Sequence, residues 1–268
     1  MVQKRKTILD ITRMKQDKNK VAVLTAYDYP FARLMDEVGI DIILVGDSVG
    51  SVVSGYDNTL PVTLEEMIYH TKAVMRGSRQ ALVVTDMPFM SYQADLRDAR
   101  INAGRLIKEG GAQAVKLEGG VPMAATIRAL VDIDIPVVGH IGLTPQSIHR
   151  MGGFRVQGRA EDQAQKLIAD ARAVEEAGAF ALVLEGIPAL LAQEITRLLT
   201  IPTIGIGAGV GCDGQVLVIH DLLGLYDKYS PRFVKRYADV APLISRGVED
   251  YIHEVKQGIF PTEDHSFK

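Results

Sequence analysis

A single cysteine, Cys212, is all the thiol that the 268-residue sequence contains. It cannot form an internal disulfide, and there is no Cys-rich zinc pattern. No apolar run is long enough to span a bilayer. The basic start, MVQKRKTILD, lacks the apolar core of a signal peptide. Formal net charge is -3, so no excess of one sign points to nucleic acid or to an anionic membrane. Domain linkers, low-complexity tracts and short-period repeats are missing too. What is present is an ordinary globular composition, 47% hydrophobic and 24% charged. It is enough for a sizeable core and fits a soluble, reduced, cytoplasmic protein.

Five short apolar runs each end in a group that can bind metal or move a proton. They are ILVGDS (Asp47), LVVTDMP (Asp86), AVKLEGG (Lys116 and Glu118), PVVGHIG (His140) and ALVLEG (Glu185). Such runs, apolar throughout and closed by Gly, Ser or Pro, read as parallel strands buried on both faces. With VAVLTA, IPTIGIGAG and QVLVIHD they make eight strand candidates. Helical patterns alternate with them at 30–38, 63–76, 92–109, 123–131, 163–177 and 189–199. Thr63 and Glu66 form a capping box at the start of the second. The expected fold is therefore a single α/β domain over 1–268, a TIM-type (β/α)8 barrel, with an open doubly wound sheet as the runner-up. Thr7 to Met14 is expected to add an N-terminal helix that closes the barrel bottom. One or two C-terminal helices are expected between Pro231 and Gln257, with Pro242 tolerable only at a first turn or a break. The connections Ser48–Val62 and Ile141–Ala160 exceed the usual βα loop of roughly two to six residues, which marks them as binding loops or lids over the mouth.

In a barrel the C-terminal strand ends share one mouth, so Asp47, Asp86 and Glu118 can converge there. Oxygen ligands without thiolate suit a hard cation such as Mg2+. One histidine does not make a zinc site. Lys116 lies two residues before Glu118, so both point to one face. Inside a barrel such a lysine needs an anion, either a substrate carboxylate or enolate or a neighbouring acid. Glu185 closes an apolar strand, where a carboxyl with raised pKa serves as general base or acid. His140 can bond a substrate oxygen or orient a neighbour. His220 and Asp221, at the end of the eighth run, are weaker candidates. The literal GxGxxG at Gly209, Gly211 and Gly214 is discounted as a dinucleotide site, because a strand rather than a helix follows it. Cys212 in that loop reads as an inert thiol. These pieces suit removal of a proton beside the ketone of a 2-oxo acid, with a divalent cation stabilising the enolate.

The stretches LTAYDYPFA, VGDSVGSVVSGYDNTLPVTLEEMIYHTKAVMRG, KLEGG, GHIGLTPQ, GGFRVQGR, IGIGAGVGCDGQVLVIHDLLG and FPTEDHSF run nearly end to end. In them the chain closely resembles the ketopantoate hydroxymethyltransferase family of pantothenate and coenzyme A synthesis. The resemblance implies a (β/α)8 barrel that transfers a one-carbon unit from 5,10-methylenetetrahydrofolate to 3-methyl-2-oxobutanoate, giving 2-dehydropantoate. It implies that Asp47 and Asp86 hold Mg2+ where the oxo acid binds, with Glu118 in or next to that shell. Ser48 and Lys116 would contact the oxo acid, His140 would border it, and Glu185 would be the base. A homodecamer of stacked pentamers is also implied. One departure is that Gly186 stands where the family often has cysteine after the catalytic glutamate. The alternative is a Mg2+-dependent C–C or P–C bond enzyme of the isocitrate lyase and phosphoenolpyruvate mutase type. Isocitrate lyases rely on a catalytic cysteine in a basic motif, which this sequence lacks. A ligand-binding scaffold barrel would not need this set of acids, lysine and glutamate together.

Overall fold

The computed structural model describes residues 4–153, 155–228 and 231–267, so Phe154 of the GGFRVQGR stretch lies outside them. Eight parallel strands close into a barrel in chain order, β8 pairing with β1. In sequence, the elements up to β4 are α1 (Ile8–Gln16), β1 (Val21–Thr25), α2 (Tyr29–Glu37), β2 (Ile42–Val45), α3 (Val49–Val52), α4 (Leu64–Gly77), β3 (Leu82–Asp86), α5 (Leu96–Arg105) and β4 (Ala114–Glu118). Then come α6 (Ala124–Val131), β5 (Val137–Gly142), α7 (Ile148–Met151), α8 (Glu161–Glu176), β6 (Ala181–Glu185), α9 (Ala189–Leu198), β7 (Thr203–Ile206) and β8 (Gly214–Leu217). The capping box of Thr63 and Glu66 starts α4, and a second one, Thr7 with Asp10, starts α1.

The barrel interior is filled by alternate strand residues, among them Val23, Leu44, Val84, Ala114, Val138 and Val183. Ile11 of α1 is fully buried in the same cluster, so the N-terminal helix does plug the barrel. Side chains on a strand repeat their direction every second residue. Asp86 follows Val84 by two, Lys116 and Glu118 continue from Ala114, His140 follows Val138, and Glu185 follows Val183. The reactive groups thus form the last inward layer on the same faces as the core. The register sets Asp86 beside Lys116, Glu118 beside His140 and Gly142 beside Glu185.

The structure corrects several expectations. Both long connections contain a short helix, α3 in Ser48–Val62 and α7 in Ile141–Ala160; four residues are too few to show a helical period. Tyr92 lies ahead of α5, which begins after the cap Asp95, and the helix passes into a π-type turn at Leu106–Gly110. The strand expected over QVLVIHD ends at Leu217. His220 and Asp221 lie on a short helix, α10 (Ile219–Leu222), and not at a strand end. The described chain forms two compact units, the barrel up to Val218 and the residues from Ile219 on. The second unit holds α10 and α11 (Ala241–Gln257), with Pro242 in the first turn of α11 as its ring requires.

Candidate active site

Asp47, Asp86, Lys116, Glu118 and His140 are all at most 6% exposed, and the side chain of Glu185 is 14% exposed. Four acids, one lysine and one imidazole are therefore packed in one layer with little water, where each ionisation depends on the others. Lys116 Nζ stands 3.1 Å from Asp86 Oδ1 and 3.2 Å from His140 Nδ1. An ammonium only donates, so Nδ1 must accept and neutral His140 carries its hydrogen on Nε2. That Nε2 lies 3.1 Å from Glu185 Oε2, although the contact falls outside hydrogen-bond geometry. Burial first, then the Lys116 charge, pushes His140 well below the ordinary imidazole range, which keeps it neutral. Burial alone would pull the Lys116 ammonium down; Asp86, Glu118 and Asp47 together outweigh it and raise it.

The acids divide by their partners. The Asp47 backbone N–H donates to Asp86 Oδ2 at 2.9 Å, which locks the β2 and β3 ends together. Burial, with the Asp86 charge next, pushes the Asp47 carboxyl up to about 7. Glu118 is pushed well above the usual carboxylate range by burial and then by Asp47. Glu185 is pushed up to about 7 by burial, against the pull of Lys116. Ser48 heads α3 without capping it; its hydroxyl meets the Tyr27 hydroxyl at 2.9 Å instead.

Gln146 is the residue that sequence reasoning missed. It is buried on the β5–α8 connection and ties four chain segments together. Its Nε2 donates to Asp47 Oδ2 at 2.8 Å and to the Met87 carbonyl at 2.9 Å. Its Oε1 accepts from the Tyr92 hydroxyl at 2.7 Å, and its backbone N–H donates to Glu118 Oε2 at 3.0 Å. The available signal was its place in GHIGLTPQ, directly after a strand bearing a candidate residue. Gln146→Leu leaves Asp47 Oδ2 and the Tyr92 hydroxyl without this partner. We expect urea denaturation to show a loss of about 1–3 kcal/mol; a loss below about 0.5 kcal/mol, the range of neutral surface changes, would mean the bridge does not persist in solution.

The cluster suits a hard cation by its chemistry. Four buried carboxyls face one lysine, and Asp86 Oδ1, although close to that lysine, makes no hydrogen bond. Asp47 and Asp86 lie together, whereas Glu118 is held by Gln146 and stands 3.6 Å from His140 Nδ1. Among the described residues, no three acidic, imidazole or thiol groups already meet as a ligand set. Asp47 and Asp86 are thus the pair able to hold a cation, with Glu118 behind them.

A family model described as ketopantoate hydroxymethyltransferase matches residues 5–263. The chain belongs to the ketopantoate hydroxymethyltransferase family. A relative from Syntrophotalea carbinolica, named 3-methyl-2-oxobutanoate hydroxymethyltransferase, is 73% identical over 99% of this chain and 100% of its own. One of the same name from Geobacter metallireducens is 69% identical over 98% and 99%. Among solved structures, 2,3-dimethylmalate lyase, a PEP mutase/isocitrate lyase superfamily member, aligns at TM-score 0.62 and 16% identity, over 97% of this chain and 88% of that one. A phosphonopyruvate hydrolase complex with oxalate and Mg++ aligns at TM-score 0.62 and 11% identity, over 96% and 92%. At such identity these two show the barrel fold alone. In this member of the ketopantoate hydroxymethyltransferase family, Gly186 adopts φ +57, with Leu143 Cβ 3.1 Å from where a Cβ would sit. A left-handed backbone in tight quarters favours glycine there.

Proposed function

We propose that the protein is a 3-methyl-2-oxobutanoate hydroxymethyltransferase. It would move the one-carbon unit of 5,10-methylenetetrahydrofolate to C3 of 3-methyl-2-oxobutanoate and yield 2-dehydropantoate for pantothenate and coenzyme A synthesis. Glu185 carries this reading: it is a largely buried carboxylate, its side chain 14% exposed, pushed up to about 7, in the same inward layer as Lys116 and His140. A base of that strength takes a C–H proton at neutral pH without being permanently protonated. Its proton would come from C3, leaving an enolate. Water would open the folate's methylene bridge, breaking both C–N bonds to release tetrahydrofolate and a carbon at the formaldehyde level. The enolate C3 would add to that carbon, whose oxygen takes a proton to become the hydroxyl of the new hydroxymethyl group.

The other residues follow from their chemistry. Lys116 supplies positive charge for the oxo-acid carboxylate and the developing enolate oxygen. The Ser48 hydroxyl, unused as a cap, bonds the same carboxylate. His140, whose Nε2–H makes no hydrogen bond within the protein, borders the oxo acid and can donate to one of its oxygens. A Mg2+ ion held by Asp47 and Asp86, with Glu118 behind, would polarise the keto group and acidify C3–H. A cytoplasmic homodecamer is the assembly that the family resemblance supports.

The lyase or phosphonomutase alternative shares the barrel, and Cys212 speaks against its cysteine-dependent branch. The thiol is fully buried and burial pushes its pKa up, opposite to an activated nucleophile. The deciding experiment follows C3–H exchange of 3-methyl-2-oxobutanoate in D2O by NMR, then adds the folate. Exchange should need Mg2+, stop with EDTA, and give way to 2-dehydropantoate. Exchange that ignores EDTA would overturn the metal assignment, and exchange without transfer would favour a lyase-type enzyme.

A further inference from the structure

A cavity of about 480 Å³ opens beside the barrel mouth. Its floor is the chain that leaves two site strands, Gly119 and Gly120 after Glu118, and Ile141 and Gly142 after His140. One wall is a continuous face of α8, Gln163, Lys166, Leu167 and Asp170, spaced i, i+3, i+4 and i+7. Arg150 and Met151 of α7 and Gln157 after it also line the cavity. The cavity is joined to the proposed base by backbone. The Leu143 N–H donates to the Glu185 carbonyl at 2.8 Å, and the Gln157 N–H donates to the Gly186 carbonyl at 2.9 Å.

Its polar groups are unspent. Lys166 and Asp170 are spaced for an ion pair on α8, yet they make none, and Arg150 has no acidic partner among the described residues either. Asp170 is buried and one oxygen, Oδ1, accepts from the Val121 N–H at 2.8 Å. Its second oxygen has no protein partner among the described residues. Two uncommitted cations, one buried acceptor and apolar surface from Ile141, Met151 and Leu167 form one recess. It has the size of a small-molecule site, roughly 300–1,000 Å³.

We propose that this recess docks the one-carbon donor of the proposed reaction, a reduced pterin with an anionic glutamate tail. Arg150 and Lys166 take the glutamate carboxylates, and Asp170 takes an N–H of the heterocycle. This rests on the function proposed above, because the donor must bring its carbon to a substrate held beside Glu185. Charge and position favour this ligand over the oxo acid, which is small and is matched by Lys116 inside the barrel.

Arg150 and Lys166 are exposed, so Arg150→Glu and Lys166→Glu should fold normally. Each reversal should raise KM for 5,10-methylenetetrahydrofolate by about tenfold, the scale of one lost charge-assisted contact, with little change in kcat. The same variants should show no such rise with 5,10-methylenetetrahydropteroate, which lacks the glutamate. C3 exchange measured without donor reports on the oxo-acid site in each variant. An unchanged KM for the folate, equal rises for both donors, or exchange falling in step with transfer would each overturn the docking site. If the unaltered protein exchanges C3–H but transfers nothing from the folate, the proposed function fails instead.

Discussion

Glu185→Gln is expected to slow C3 proton exchange by about 10²–10⁴-fold while making the ligand-free protein more stable at alkaline pH. The two effects share one cause. Burial lifts the Glu185 carboxyl from an ordinary 4.5 to about 7. Between those values the folded protein holds a proton that the unfolded chain has released. Stability therefore falls as pH rises across that window, and above about 7 the deficit is complete. Its size follows from the shift, about 3 kcal/mol. Glutamine keeps the shape, never ionises and escapes the deficit. Urea unfolding should find variant and parent alike near pH 4 and the variant ahead near pH 8, so that function is held against stability at this position. The parent's exchange rate should climb about tenfold per pH unit up to about 7 and then level, as the carboxylate fraction does. A variant that exchanges at the parent's rate would remove Glu185 from the base role. Equal stabilities at both pH values would show that the carboxyl is not strained in the folded state.

The inward layer was legible because two periodicities coincide. A parallel strand buried on both faces reads as a continuous apolar run, and its inward side chains recur every second residue. Asp86, Lys116, Glu118, His140 and Glu185 are therefore the next step of a count begun by Val84, Ala114, Val138 and Val183. Gln146 and Tyr92 escape that count. Their roles come from the β3–α5 connection, which carries Tyr92, meeting the β5–α8 connection, which carries Gln146, a tertiary event with no period of its own. The end of β8 was misplaced for a related reason. The middle of QVLVIHD, Val216 to Ile219, is continuously apolar, so hydropathy cannot mark the break between Leu217 and the helical turn from Ile219. The unspent pair Arg150 and Lys166 was equally silent, since a lysine and an arginine in a loop and a polar helix face read as solvated charge.

Lys116→Met is expected to cost about 3–5 kcal/mol near pH 8 and much less near pH 5. Among the described residues the lysine is the buried cation that pairs with Asp86, and its charge lowers the pKa of Asp47, Glu118 and Glu185. Removing it pushes those three carboxyls further up. At pH 5 Asp47 and Glu185, both pushed up to about 7, already hold protons in the folded state, so little is lost. At pH 8 those two must either stay ionised without a counter-charge or bind a proton against the solvent, and the folded state alone bears that cost. The destabilisation therefore grows with pH. The same shift moves the acidic limb of the exchange profile to higher pH, since Glu185 loses the charge that held it down. A divalent cation should recover stability more in the variant than in the parent, because four buried carboxyls then face no ammonium. Urea unfolding at the two pH values, with and without Mg2+, measures all of this without reference to turnover. A cost independent of pH would mean that Lys116 acts by packing its methylene stem. No cost at either pH, with only KM for the oxo acid raised, would make it a substrate contact and leave the ion pair with Asp86 without a structural role.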